Sequence, residues 1–412
     1  MTGFTPRKTL RIGFIGSGFI AHFHLKSLVG VRNVEVTAVY SPTPVKREKF
    51  AAAVAELDLG TCRTYDSLAA MLAADDLDAI WILSPNHTRL ATMREISAAV
   101  QAGRSKVFAV ACEKPLARTL AEAKEMVSLV EAAKLNHGYL ENQVFSTAVI
   151  RGKDIIWRRA VPAAGRPYLA RAAEEHSGPH EPWFWRGDQQ GGGVLLDMMC
   201  HSVEVGRYLL TEPGAARNSL KFKSATATVA TLKWARPKYA ADLKKRMGAE
   251  VDYTNRPSED FARGMLTFED PDGNEVVIEA TTSWAYVGAG LRIQLELLGP
   301  EYALEFSSLN TPLKIFMSRQ VTGAEGEDLV EKQNAEQGLM PVLEDEAGVY
   351  GYTDENRHMV ERFRSGEAPI ETFYDGLAVV EMLMALYKSS ETGRTVIIGE
   401  DDLTGYVPVV AR

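Results

Sequence analysis

The chain has 412 residues, 46% hydrophobic and 24% charged, a balance that excludes extended disorder and provides for two or three domains. Its 46 lysines and arginines against 54 aspartates and glutamates leave a net charge of −8, the wrong sign for a partner of nucleic acid or of an anionic membrane. The three cysteines, Cys62, Cys112 and Cys200, are odd in number and far apart, so they read as reduced structural thiols in a cytoplasmic protein, with no zinc spacing among them.

Met1 to Leu10 leads into an apolar stretch broken by Gly13, Gly16 and Gly18, unlike the h-region of a signal peptide. No run is long and apolar enough to span a bilayer. From Leu10 to about Tyr139, short β-branched runs alternate with amphipathic ones, the grammar of βαβ units. Strands are predicted over Arg11 to Ile15, Val34 to Val39, Ala79 to Leu83, Val107 to Ala111 and Asn136 to Leu140. Helices are predicted over Ala21 to Gly30, Val45 to Leu57, Ser67 to Ala74, Arg89 to Ala102 and Leu120 to Lys134. Residues 1–142 therefore read as a doubly wound α/β domain with a parallel sheet, its ligands expected at the carboxyl ends of the strands.

Residues 143–412 change pattern. A helix-like stretch after Phe145 and a turn-rich segment with Gly178, Pro179, Pro182 and Gly187 precede a helix from about Gly192 to Leu210. Strands are then predicted over Lys221 to Thr231, Arg263 to Phe268, Glu275 to Trp284, Leu291 to Leu298 and Tyr302 to Phe306, with Asp272-Gly273-Asn274 as a turn, so this is an α+β domain with a mostly antiparallel sheet. Helices over Thr353 to Arg364 and Phe373 to Ser390 close the chain. The charged stretches Lys233 to Asp260 and Gln320 to Gly348 read as insertions or arms.

Gly16-Ser17-Gly18-Phe19-Ile20-Ala21 follows the first strand and opens a helix, the context in which a G-x-G-x-x-G/A pattern carries a dinucleotide. Gly16 permits the tight turn, Gly18 lets a diphosphate approach the helix amides, and Ala21 keeps helix and strand close. The end of the second strand, Tyr40-Ser41-Pro42-Thr43-Pro44-Val45-Lys46-Arg47, has no acidic residue for the ribose of NAD and offers two cations to a 2′-phosphate, so the choice between NAD and NADP stays open.

Glu113-Lys114-Pro115 ends a strand, which aims Lys114 at the crevice, where a lysine can hydrogen bond a reacting hydroxyl and share its proton. In Gly191-Gly192-Gly193-Val194-Leu195-Leu196-Asp197-Met198-Met199-Cys200-His201, Asp197 and His201 stand four apart on one helix face among apolar neighbours. They read either as a hydrogen-bonded pair within the core or as a general base, His201, oriented by Asp197.

Together with Ser84-Pro85-Asn86-His87 and Trp185-Arg186, these motifs run in order across about half the chain and resemble the Gfo/Idh/MocA family of nicotinamide-dependent oxidoreductases. The resemblance implies an N-terminal Rossmann domain and a C-terminal domain whose large open sheet makes homo-oligomer contacts. It implies a catalytic set on Lys114, Asp197 and His201, with the Lys114-Pro115 bond cis. Cofactor contacts are implied at Gly16, Ser17, Gly18, Phe19, Ile20, Ser41, Ser84, Asn86, His87, Glu113, Lys114, Asn142, Trp185 and Arg186. The chain departs from the family in Tyr139-Leu140-Glu141-Asn142-Gln143, where a carboxylate replaces Asn-x-Arg-like residues, and in the length of its arms.

His176, His180, Trp183, Trp185 and Arg186 cluster before the catalytic helix and suit the wall of a pocket for a polar, ring-shaped substrate. His176 and His180 lack further ligands for a metal, so none is expected. The first reading is an NAD(P)-dependent dehydrogenase of a sugar, sugar derivative or polyol, in which His201 or Lys114 takes the hydroxyl proton as hydride leaves carbon, and Lys114, Glu141, His176, His180, Asp197 and His201 contact substrate. The alternative is an NAD-dependent glycoside hydrolase working by transient oxidation, elimination, hydration and reduction, with Glu141, His176, His180 or Tyr139 as the extra acid or base.

Overall fold

Strands covered by helices on both faces must be apolar at nearly every position, and β-branched runs followed by amphipathic stretches fold accordingly. The computed structural model describes residues 8–318, 320 and 337–412. Its chain forms two compact units, residues 1–146 with 350–380, and residues 147–349 with 381–412. The boundary expected at 142/143 thus falls at 146/147, and a late segment returns to the first unit.

The first unit runs β1 (Leu10–Ile15), α1 (Phe19–Leu28), β2 (Val34–Tyr40), α2 (Pro44–Glu56), β3 (Arg63–Tyr65), α3 (Leu68–Leu72), β4 (Ala79–Ile82), α4 (Asn86–Gln101), β5 (Ala109–Glu113), α5 (Leu120–Ala132) and β6 (Asn136–Leu140). The sheet order is β3-β2-β1-β4-β5-β6, all parallel, so the order reverses beside β1 and the glycine turn lies at the switch point. β4 and β5 are buried at every residue, Glu113 included. Ser67 and Thr119 cap α3 and α5 through their side chains.

The second unit begins with α6 (Thr147–Ile155) and continues through a π-helical turn into α7 (Val161–Ala164). There follow β7 (Leu169–Glu175), α8 (Gly187–Gln190), α9 (Val194–Leu210), β8 (Lys221–Ala230), α10 (Pro237–Met247), β9 (Phe261–Glu269), β10 (Glu275–Ser283), β11 (Arg292–Gly299) and β12 (Tyr302–Ser307). The hairpin of β13 (Leu313–Met317) and β14 (Gly338–Val342) and the short α11 (Glu346–Val349) come next. Most of the Gln320 to Gly348 arm lies outside the described residues; the described part includes β14 and α11. The Lys233 to Asp260 arm is not irregular throughout, since it contains α10.

α12 (Tyr352–Ser365) completes the first unit, and its Asn356 accepts the indole N–H of Trp81 at 3.0 Å. The approach to α13 (Phe373–Thr392) runs along the edge of β6, where Asn136 donates to the Glu367 carbonyl at 2.8 Å and Tyr139 N–H to that of Glu371 at 3.0 Å. Residues 381–392 of α13 are counted with the second unit, as is β15 (Val396–Ile397).

The seven-stranded sheet of the second unit has the order β12-β11-β7-β10-β9-β8-β15, antiparallel except for the β7 and β10 pair. β7 is a central strand where the sequence pattern predicts only helix and turn. Its residues Leu-Ala-Arg-Ala-Ala-Glu-Glu favour helix, and pairing on both sides overrides that preference. Alternation along β9, β10 and β11 turns one face to α9, in which every residue but Tyr208 is buried. The other face carries an ion-pair ladder, Arg171 to Glu279 at 2.7 Å and to Glu296 at 3.1 Å.

Candidate functional site

Two groups of residues carry the chemistry, one in each unit. In the first, Gly16 adopts φ +112°, and a Cβ there would stand 2.7 Å from the Leu83 carbonyl oxygen, so only glycine fits where the turn crosses β4. A Cβ on Gly18 would meet nothing within 4 Å. Gly18 caps α1 without a side-chain hydrogen bond, the first turn holds no acid, and the Ser17 hydroxyl is buried without a hydrogen-bond partner. Open space, a helix N-terminus without a side-chain cap and an unused hydroxyl fit a diphosphate at this turn. Phe19 and Ile20 form the first turn of the helix, with Phe19 exposed.

Ser41 is buried at the end of β2, and Arg47 donates to its carbonyl at 3.1 Å. Ser84 follows β4 and its hydroxyl accepts from Thr88 at 2.8 Å. Asn86 and His87 open α4, Asn86 buried and His87 exposed. Asn142 donates to the Tyr350 carbonyl at 2.7 Å, leaving its own amide oxygen buried and unpartnered.

Lys114 is half-buried at the end of β5, and the bond to Pro115 is cis as expected. Two side chains hold this corner, and sequence reading found neither. Arg89, on α4, donates to the Ser84 carbonyl at 2.9 Å, to the Glu113 carbonyl at 2.5 Å and to the Pro115 carbonyl. His24, on α1, binds the Glu113 carboxylate at 3.0 Å. Burial works to raise the Glu113 carboxyl, but the His24 hydrogen bond with the charges of His24, Lys114 and Arg89 holds it below its ordinary value. Glu113 thus spends its carboxylate inside the unit, on His24. Glu141 is fully buried at the start of a 3-10 turn, beside the equally buried Tyr139.

The second unit brings Asp197 and His201 onto one face of α9, both buried. Asp197 accepts the indole N–H of Trp284 at 3.3 Å, and His201 Nε2 lies 3.9 Å from a carboxylate oxygen of Glu174 on β7. The glycine run exists for close approach. A Cβ on Gly193 would stand 2.4 Å from the Glu259 carbonyl oxygen. The Glu259 carboxylate accepts from the Gly193 and Leu195 N–H groups at 2.9 and 3.2 Å and from the Tyr387 hydroxyl, so it caps α9 from outside the helix. Burial pushes its carboxyl up to about 7.

Trp185 is buried in an aromatic cluster, 5.1 Å centre to centre from both Trp234 and Trp284 and 5.3 Å from Tyr253. Arg186 pairs locally with Asp188 at 2.9 Å. His176 is buried and its Nδ1 accepts from the Gly178 N–H at 2.9 Å, which ties that nitrogen to a turn, whereas His180 is exposed. Trp183 stacks on Phe184 at 3.8 Å. All three cysteines are free, and burial raises the Cys112 thiol to about 12. No helix among the described residues is long and apolar enough to cross a membrane.

Residues 10–138 match the model described as an oxidoreductase family with an NAD-binding Rossmann fold, and residues 162–305 match that of the GFO/IDH/MocA C-terminal domain. The chain is 30% identical to 1,5-anhydro-D-fructose reductase of Ensifer adhaerens over 211 residues, 50% of this chain and 58% of the relative. A D-apiose dehydrogenase of Rhizobium rhizogenes is 22% identical over 95% of this chain and 98% of its own. Among solved structures, GenD2 from gentamicin A biosynthesis, in complex with NAD, shares the fold with a TM-score of 0.75 at 23% identity, over 96% of this chain and 100% of that one.

Proposed function

Because the chain belongs to the Gfo/Idh/MocA family of oxidoreductases, with a family match in each of its two units, we propose that it is a nicotinamide-dependent dehydrogenase acting on a hydroxyl of a sugar, sugar derivative or polyol. The observation that carries the reading is Lys114, held at the end of β5 by Arg89 and by the His24 to Glu113 bond, in the unit that matches the NAD-binding model. The names of the relatives, a reductase and a dehydrogenase of sugars, agree with this substrate class.

In this reading the glycine turn, with Ser17, Phe19 and Ile20, holds the diphosphate of the dinucleotide, which supplies the hydride acceptor when bound. Ser41, Ser84, Asn86, His87 and Asn142 line its remaining length. Lys114 hydrogen bonds the reacting hydroxyl, His201 takes the proton, and Asp197, fixed by Trp284, orients the substrate. The absence of an acid at Ser41 leaves room for NADP beside NAD. The redox-neutral hydrolase finds no support among the relatives, whose names describe net oxidation or reduction. The open face of the seven-stranded sheet is the proposed surface for self-association, and three free thiols suit a reducing, cytoplasmic compartment.

The test is absorbance at 340 nm with NAD and NADP against a panel of sugars, polyols and glycosides. Stoichiometric reduced cofactor is expected, falling roughly a hundredfold in Lys114→Ala and in His201→Ala while cofactor still binds. Release of a sugar from a glycoside with no net change at 340 nm would refute the dehydrogenase.

A further inference from the structure

A cavity of about 560 Å³ opens within the second unit between the turn after β7 and α10, walled in part by His180, Trp185, Lys233, Trp234, Tyr239 and Arg246. Its two cations share one aromatic surface. Lys233 Nζ lies 4.4 Å from the Trp234 ring centre and 5.6 Å from that of Tyr239, and the Arg246 guanidinium lies 5.3 Å from Trp234. Asp242, one turn before Arg246 on α10, also lines the cavity, yet neither Lys233 nor Arg246 makes an ion pair with it or with any other acid among the described residues.

The nearest buried acid is already used. Asp260 accepts the backbone N–H groups of Leu232, Lys233 and Trp234 at 2.6, 2.8 and 2.8 Å, so its carboxylate fixes the turn that presents the lysine. Burial first, and then the charge of Arg246, lower the Lys233 ammonium below its ordinary value, with Asp260 opposing them. Lys233 is half-buried, whereas Arg246, like Lys244 and Lys245 on the same helix, reaches solvent and meets the cavity at its rim. Two like charges beside one indole, neither in an ion pair, are an arrangement that an anion stabilises.

Hydrogen bonds tie the wall to Asp197. Trp185 donates to the Pro179 carbonyl at 3.1 Å and Trp234 to the Trp284 carbonyl at 2.8 Å, while Trp284 holds Asp197. We propose that this pocket is a subsite for an anionic substituent, a carboxylate or phosphate on a sugar ring, which Lys233 and Arg246 bind while the aromatic wall takes the carbon skeleton. The proposal rests on the dehydrogenase reading and narrows its substrates to acidic sugars.

The test is titration of the full chain followed by tryptophan fluorescence, with glucose, glucuronate, glucose 6-phosphate and inorganic phosphate as probes, repeated in Lys233→Met, Arg246→Met and the charge-keeping Arg246→Lys. An acidic sugar is expected to bind about tenfold or more tightly than glucose, and to lose that preference in both methionine variants but not in Arg246→Lys. Glucuronate ahead of glucose 6-phosphate assigns a carboxylate, and the reverse a phosphate. Equal affinity for charged and neutral sugars, inorganic phosphate binding as tightly as the sugar acids, or methionine variants that keep the preference would overturn the subsite. A chain that oxidises neutral polyols with no preference for acids loses the subsite alone. One that binds acidic sugars through Lys233 and Arg246 but never reduces a nicotinamide loses the dehydrogenase reading instead.

Discussion

Gly16 and Gly18 stand two residues apart and lack a side chain for opposite reasons. Gly16 has backbone against it and a left-handed φ, so Gly16→Ala is expected to cost about 2 kcal/mol or more of stability, read as a lower midpoint in urea. Gly18 has open space around it, so Gly18→Val is expected to keep the wild-type midpoint and to lose nucleotide binding in a titration with NADH fluorescence. A Gly18→Val protein that binds NADH normally would remove the diphosphate from this turn. The glycines and Lys114 were legible in the sequence because each is defined by its immediate neighbours. Arg89 and His24 were not, since a guanidinium on carbonyls 24 and 26 residues away, and an imidazole on a carboxylate 89 residues away, leave no local pattern.

At the scale of elements, α9 is the piece on which the second unit depends, and its N-terminus is capped by Glu259 from an arm that sequence reading took for irregular chain. The Glu259 carboxyl is raised from 4.5 to about 7, so the folded protein binds this proton more tightly than the unfolded chain does. The stabilisation is complete below about pH 4.5 and is lost as pH rises through about 7. Glu259→Gln keeps an acceptor for the two N–H groups and removes the titration. Between pH 5 and pH 8 the wild type should therefore lose on the order of 3 kcal/mol relative to the variant in paired denaturant melts. Parallel pH profiles would show that Glu259 ionises normally. Strands β8 to β12 were legible to within two residues because alternation survives wherever one face is buried and the other is not. β7 was not, its alanines and glutamates being helix formers held extended by two neighbours.

For the whole molecule, the sequence pattern separated a parallel from an antiparallel half but assigned α12 to the wrong one, because amphipathicity reveals that a helix has a buried face and not which sheet receives it. The chain leaves the first unit at Ser146 and comes back at Tyr350, bringing Asn356 to His24, Ser27 and Trp81. Residues 147–349 are in this sense an insertion into the first unit, while residues 381–412 return to the second, and that sets an order of assembly. Bringing the ends of so long a loop together costs about 5 kcal/mol if it is flexible and less once its own fold draws them near. On a ribosome, where early segments fold first, the nucleotide unit must wait with its α1 and β4 partners missing until residues 350–380 have emerged. A fragment of residues 1–146 should accordingly be expanded and blind to NADH, and the same fragment joined through a short glycine linker to residues 350–380 should regain cooperative melting. Vectorial synthesis thus separates the six parallel strands from the helix that completes their unit, and gives nascent chains a long interval in which the apolar face awaiting α12 is open to chaperones.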